Sequence, residues 1–194
     1  IFVSDNGPYE SPATPLHGGK GSTWEGGFRV PCVIRWSKQI RPNSINNELA
    51  TVMDFLPTLV SIVGGELPND RKIDGHNIFP LLTNKKAKSA YPFFCYYDRA
   101  GKIAAIRKGK WKLHLRKPDE RWAGDLPVKE ALLDQKPAED IPWLYDLSKD
   151  VGETHNTIQS NQKIANQLRQ IALDFDSVLT KEMRPAFKMD KNNP

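Results

Sequence analysis

Long apolar runs are missing from this 194-residue chain. No stretch approaches the roughly 20 residues that a membrane-spanning helix needs, so no helical span is expected. Cysteine is scarce as well. Cys32 and Cys95 form no CxxC or Cys/His spacing, which excludes a thiolate metal site. Their neighbours are apolar (Val-Pro-Cys-Val-Ile and Phe-Phe-Cys-Tyr-Tyr), so both are expected as buried small hydrophobes, and a disulfide between them is left open. Ile1-Phe2-Val3-Ser4-Asp5 has no basic start, apolar core or cleavage site, so no signal peptide is read there. The chain opens in mid-strand, as a cut chain would. No fixed-period repeat emerges. Aromatics make up 9% and are not spaced as a stacking platform, so nucleic acid is not an expected partner.

What is present is ordinary globular material. Hydrophobic residues reach 39% and charged residues 26%, a balance that suits one domain, or one domain joined to a piece of another. The net charge is +5 with a pI near 9.1. Nine basic residues crowd the segment Arg99, Lys102, Arg107, Lys108, Lys110, Lys112, Arg116, Lys117, Arg121. Such a run is expected as a solvated strand face, and a basic surface also favours anions such as a sulfated polysaccharide.

Residues 1–4 read as a β-strand ending in Ser-Asp-Asn-Gly-Pro, which delivers polar groups to a loop. Residues 5–27 lack periodicity, and a loop of that length inside a folded protein is usually functional. Arg29 to Trp36 reads as an apolar strand of a sheet buried on both faces. A helix follows, with Asp54 as cap, Pro57 in the first turn and Gly64-Gly65 as stop. Leu56, Leu59, Val60 and Val63 give it one apolar stripe. Strand, loop, strand and helix together indicate an α/β sheet. Near residue 90 the pattern changes. Tyr91 to Tyr97 is β-prone, and residues 102–116 read as a hairpin turning at Lys108-Gly109. In its second arm Trp111, Leu113 and Leu115 alternate with Lys110, Lys112, His114 and Arg116, the signature of a strand wet on one side. Residues 117–142 read as a surface excursion, Trp143 to Leu147 as another strand. A final helix carries Ile164, Leu168, Ile171, Ala172, Phe175 and Val178 on one face, before a polar tail from about residue 183. The expected organisation is residues 1–89 as part of an α/β domain and residues 90–194 as a small antiparallel α+β subdomain.

Two motifs carry chemistry. Asp5-Asn6 supplies a carboxylate and an amide oxygen at a strand's carboxyl end, where α/β sheets gather ligands and where hard cations find oxygen donors. Asp-Asn-Gly is also a plain turn sequence. Lys20 sits in Gly18-Gly19-Lys20-Gly21-Ser22-Thr23-Trp24-Glu25-Gly26-Gly27, where glycines let the backbone approach an anion and the ammonium can reach it. The segment lacks phosphate-loop spacing, and no helix pattern follows it.

In order and spacing these motifs resemble the signature of the sulfatase family, of the arylsulfatase type. The likeness continues through Phe28-Arg29-Val30-Pro31, Met53-Asp54-Phe55-Leu56-Pro57-Thr58-Leu59, Leu67 to Gly75, Leu81-Leu82, Ile106 to Leu113, Leu144 to Leu147 and Gly152-Glu153-Thr154. The resemblance implies an alkaline-phosphatase-like α/β fold followed by a small antiparallel subdomain, of which this chain is the C-terminal part. It implies that Asp5 and Asn6 are Ca²⁺ ligands, that Lys20 binds the substrate sulfate, and that the reaction is sulfuric ester hydrolysis on aryl or sugar substrates, with sulfated glycan favoured by the basic charge. His17, three residues before Lys20, is expected to face the substrate, whereas His76, His114 and His155 are expected to be structural or solvated. The implied setting is periplasmic or extracellular.

The departures count equally. The family's nucleophile is a formylglycine made within Cys-x-Pro-x-Arg or Ser-x-Pro-x-Arg, and no such motif occurs in these 194 residues, nor does an Asp-Asp pair for the remaining ligands. The chain alone is therefore expected neither to hydrolyse sulfate esters nor to hold Ca²⁺ tightly. Its expected partners are the N-terminal part of the same enzyme or further copies of itself. Two other functions fit the same residues less closely: a phosphodiester or phosphonate monoester hydrolase of the same superfamily, and a non-catalytic module gripping a polyanion with the basic hairpin.

Overall fold

The computed structural model describes residues 1–9, 13–98, 101–116, 118 and 142–182. The first half is mostly loop. Strand β1 (Phe2–Val3) leads through the glycine-rich segment into one helical turn, α1 (Glu25–Phe28), and then into β2 (Cys32–Val33). β1 and β2 pair antiparallel, Phe2 opposite Val33 and Val3 opposite Cys32. The apolar strand expected over Arg29–Trp36 thus shrinks to two residues. Both are exposed, because no further strand or helix among the described residues covers this ribbon, and Cys32 is accordingly a surface thiol.

Helix α2 (Phe55–Ile62) ends as its sequence dictates. Gly64 adopts φ 72°, open to glycine at little cost, and the Gly65 N–H donates to Val60 O at 2.9 Å. The orientation of α2 differs from expectation. Leu56, Leu59 and Val63 face outward, and the buried residues are Pro57 and Thr58. Polar anchors set this roll of the helix. Thr58 Oγ donates to Asp54 O at 2.6 Å and accepts from the Ile78 N–H at 2.9 Å, just before the short helix α3 (Phe79–Thr83).

Asp54 stands at the start of α2 but does not cap it through its side chain; it is the acidic partner of a capping box with Thr51. It is fully buried, and its oxygens accept from the Thr51 N–H at 2.6 Å, the His76 N–H at 2.8 Å and the Tyr91 hydroxyl at 2.5 Å. Burial and this carboxylate push the Tyr91 hydroxyl up to about 12. Asp54→Ala removes the acceptor of three part-buried donors, of which the Tyr91 hydroxyl keeps Thr51 Oγ at 3.0 Å, so a loss of about 2 kcal/mol of folding stability is expected. Denaturant unfolding of the two proteins checks this; a change within experimental error would contradict the hub role.

The second half is one antiparallel sheet in the order β3 (Phe94–Tyr97), β4 (Ile103–Lys108), β5 (Trp111–His114), β6 (Trp143–Asp146). Gly109 at φ 57° begins the two-residue link that brings Lys108 opposite Trp111. One face carries Cys95, Ile106, Leu113 and Leu144, packed on Ala165, Leu168 and Ala172 of helix α4 (Gln162–Glu182). The expected surface excursion and polar tail lie almost wholly outside the described residues.

The opposite face was expected to be wet, and it is so only at its ends, where Lys110 and Arg116 are exposed. Lys112 and His114 are both 0% exposed. Alternating Lys and His mimic a solvated face in sequence, yet here that face is closed by α1 and the loop before it, which bring their own aromatic ring and carboxylate.

Candidate functional site

Two loops lie side by side beyond β1. The Gly7 N–H donates to Gly27 O at 3.1 Å and the Lys20 N–H to Pro8 O at 2.9 Å, so the Asp5-Asn6 turn and the glycine-rich segment are joined through their backbones. Glycine is required at position 7, because a Cβ there would lie 1.8 Å from Gly26 O. The two motifs singled out by sequence are therefore neighbours in space. Asp5 is exposed and Asn6 half-buried, with Ser4 Oγ donating to Asn6 O at 2.8 Å. Lys20 is exposed at the tip of its loop, while Gly19 and Ser22 beneath it are buried and bonded through Ser22 Oγ–H to Gly19 O at 2.8 Å. The segment runs directly into the single turn of α1, where no helix was expected.

His17 is half-buried and stacks on Trp24, with ring centroids 4.1 Å apart and planes at 19°. Trp24 is itself buried against the sheet, 4.5 Å from His114, 5.8 Å from Trp143 and 5.9 Å from Tyr145 between centroids. The loop bearing His17 and Lys20 is thus mounted on the small sheet through one tryptophan.

Beneath Trp24 lies a buried ionic cluster that sequence reasoning missed. Lys112 Nζ is 3.0 Å from Glu25 Oε1 and 3.0 Å from Glu153 Oε1. His114 Nε2 is 2.7 Å from Glu153 Oε1, and the Tyr96 hydroxyl donates to Glu25 Oε1 at 3.2 Å. Arg29 Nε donates to Glu25 Oε2 at 2.9 Å. Burial raises the Glu25 carboxyl, but Lys112, Arg29 and Arg107 outweigh it and hold it at about 2. Burial also raises Glu153, and Lys112 with His114 reverses this and lowers it. Burial lowers His114 more than Glu153 restores it, so the ring stays neutral at pH 7. Two of these residues had a visible address: Lys112 and His114 share a strand face with Tyr145, Trp143 and Tyr96. Glu25 and Glu153, 128 positions apart, carried no signal of meeting.

The pH dependence follows by linkage. The unfolded chain takes up protons at His114 near pH 6.5 and at Glu25 near pH 4.5, whereas the folded chain takes them up only at lower pH. Stability is therefore full above pH 6.5, begins to fall below it through His114, and falls further between about 4.5 and 2 through Glu25. A melting temperature that stays flat from pH 7 to pH 3 would contradict the ionised cluster.

Among the described residues no group of three or more His, Cys, Asp or Glu could hold a metal ion. Asp5 and Asn6 are oxygen donors of the kind a hard cation takes, and they make up only part of the six to eight that Ca²⁺ commonly requires. The basic hairpin is also less free than its sequence suggests. Lys112 is buried, Lys110 Nζ sits 2.7 Å from Asp146 Oδ2, and Arg116 reaches Asp98 at 3.5 Å. No described helix is long and apolar enough to cross a membrane.

Comparison with known proteins points to one family. Residues 1–65 match the sulfatase family and residues 89–192 match the C-terminal region of aryl-sulfatase. The chain is 34% identical over 198 residues to Arylsulfatase A of Bos taurus, covering 93% of this chain and 38% of the relative. It is 34% identical over 173 residues to Steryl-sulfatase of Mus musculus, covering 78% and 28%. The structure resembles that of the PsFucS1 sulfatase from Pseudoalteromonas sp., with a TM-score of 0.72 at 26% identity, covering 93% of this chain and 37% of the other. A protein described in connection with the metabolism of multiple glycosaminoglycans by Bacteroides thetaiotaomicron gives a TM-score of 0.70 at 26% identity, covering 92% and 38%. The chain thus spans about a third of the length of the relatives it matches.

Proposed function

We propose that this chain, which belongs to the sulfatase family, supplies the sulfate-binding loop of a sulfuric ester hydrolase. One observation carries the reading: Lys20 projects from a glycine-rich loop that is joined by two backbone hydrogen bonds to the loop bearing Asp5 and Asn6. An exposed ammonium on a braced backbone is a preorganised cation for an anionic ester. It stabilises the charge that grows on the sulfate oxygens as the ester bond breaks, and does so without reorganising. The imidazole of His17, held flat against Trp24, faces the same substrate.

Asp5 Oδ and the Asn6 side-chain oxygen are the atoms of this chain that would hold Ca²⁺. When bound, the dication adds further charge to neutralise the sulfate. The nucleophile, a formylglycine, is assigned to residues outside these 194, since none of them lies in a Cys-x-Pro-x-Arg or Ser-x-Pro-x-Arg motif. Turnover accordingly requires the N-terminal part of the same enzyme. The outward apolar residues Val52, Met53, Leu56, Leu59 and Val63 suit such a partner, or further copies of the chain when it stands alone. The division is placed at residue 89, between an α/β portion and the small subdomain. Sulfated glycan is the favoured substrate, in keeping with the glycosaminoglycan connection of one structural relative, and the setting is periplasmic or extracellular.

The test is hydrolysis of a chromogenic aryl sulfate by the complete enzyme, beside a phosphonate monoester and a phosphodiester. Preferential sulfate release is expected. A preference for either phosphorus ester would move the activity to the other branch of the superfamily. Absence of all three, with heparin retention that survives Lys20→Ala and is lost on reversing Lys110, would make the chain a polyanion-binding module.

A further inference from the structure

We infer that Glu153 is a positioning residue for the sulfate-binding loop, holding its C-terminal end against the small sheet. This rests on the assignment of Lys20 to the sulfate. Glu153 adopts φ 54°, a left-handed conformation that a side chain of this size rarely takes, and it is 2% exposed. Such strain persists where the surroundings over-determine it. Here Asp150 does so, its side chain accepting from the Thr154 and His155 N–H groups, each at 2.8 Å, and fixing the turn.

The turn meets the loop at two places and bonds it at one. Glu153 Oε2 accepts the Glu25 N–H at 2.6 Å, which fixes the start of α1 just after the Lys20 segment. The next amide, Gly26 N–H, donates to His17 O at 2.8 Å, so the hold on Glu25 passes directly to His17. One residue before Glu153, a Cβ on Gly152 would lie 2.8 Å from Pro15 O, so the turn also lies against the chain just before His17. The other oxygen of Glu153 is fixed by Lys112 at 3.0 Å and His114 at 2.7 Å, both rooted in β5. A buried pair of this kind adds little net stability over an apolar equivalent, whereas it does fix geometry. The segment that contains both His17 and Lys20 is therefore anchored at Glu25 by one carboxylate 128 positions along the chain, and that hold reaches His17 through Gly26.

The test is a double-mutant cycle in the complete enzyme with a chromogenic aryl sulfate, using inorganic sulfate as competitive inhibitor. Glu153→Gln keeps the volume and removes the charge. It is expected to lower kcat/KM by about 10- to 100-fold through displacement of the loop, and to weaken sulfate inhibition in step. In a Lys20→Ala background the same change should add little, because the group it positions is gone. Should Glu153→Gln fail to fold, Glu153→Asp takes its place, keeping the charge beside Lys112 while shortening the reach to the Glu25 N–H. Unchanged kcat/KM in the folded variant, or losses that multiply with that of Lys20→Ala, would overturn the positioning role while leaving Lys20 on the sulfate. A Lys20→Ala enzyme with normal kinetics would remove the sulfate assignment and this inference together.

Discussion

Lys20→Ala in the complete enzyme is expected to cut turnover of a sulfate ester by about 10²–10³, the usual loss on removing one preorganised donor. The melting temperature should hardly move. The Lys20 side chain is exposed, and what it contributes to the fold is its backbone N–H on Pro8 O, which alanine keeps. The flanking glycines and the Ser22 Oγ bond to Gly19 are untouched, so the loop keeps its shape while losing its charge. Steady-state kinetics and a thermal melt on the same preparation separate these effects. A large fall in melting temperature, or normal kinetics, would remove Lys20 from the binding of the anion.

The opposite outcome is expected for Lys112→Met. This lysine has no solvent contact and stands between two buried carboxylates, with its ammonium also 4.3 Å from the centre of the Tyr96 ring. Methionine fills a similar volume but leaves Glu25 and Glu153 facing each other inside the protein. Breaking a buried ionic cluster by removing one partner commonly costs about 3–5 kcal/mol. The same change relieves what holds the Glu25 carboxyl at about 2, so acid unfolding should begin at higher pH. Urea unfolding at pH 7 and at pH 5 reads both effects. A variant as stable as the parent at both pH values would show that the cluster holds nothing together.

These two lysines mark where the sequence was legible and where it was not. The exposed, glycine-flanked setting of Lys20 could be read because it is local, whereas its role toward an anion stands as a proposal. The hairpin, the final helix and the Gly64-Gly65 stop were legible for the same reason, since turn chemistry and periodicity are properties of adjacent residues. Lys112 was misread as solvated because alternation reports which residues share a face, not what covers that face. Its cover comes from Trp24 and Glu25, nearly ninety positions away, and from Glu153. The stripe on α2 failed in the reverse sense. Leu56 and Leu59 show the period of a buried face, yet Thr58 and Asp54 tie the other side of the helix to Ile78 and His76 by hydrogen bonds that periodicity does not record. Asp54 stands where a cap was expected, yet its carboxylate turns back to Thr51 and out to His76 and Tyr91, tertiary links that position before a helix does not reveal.

Where an anion binds is the most direct question to put to this molecule. A crystal structure of the complete enzyme with inorganic sulfate answers it. The expected result is a sulfate oxygen within about 3 Å of Lys20 Nζ, at hydrogen-bond distance, with the His17 ring still stacked on Trp24 beside it. A sulfate bound elsewhere while Lys20 points into solvent would contradict the assignment of this loop to the substrate.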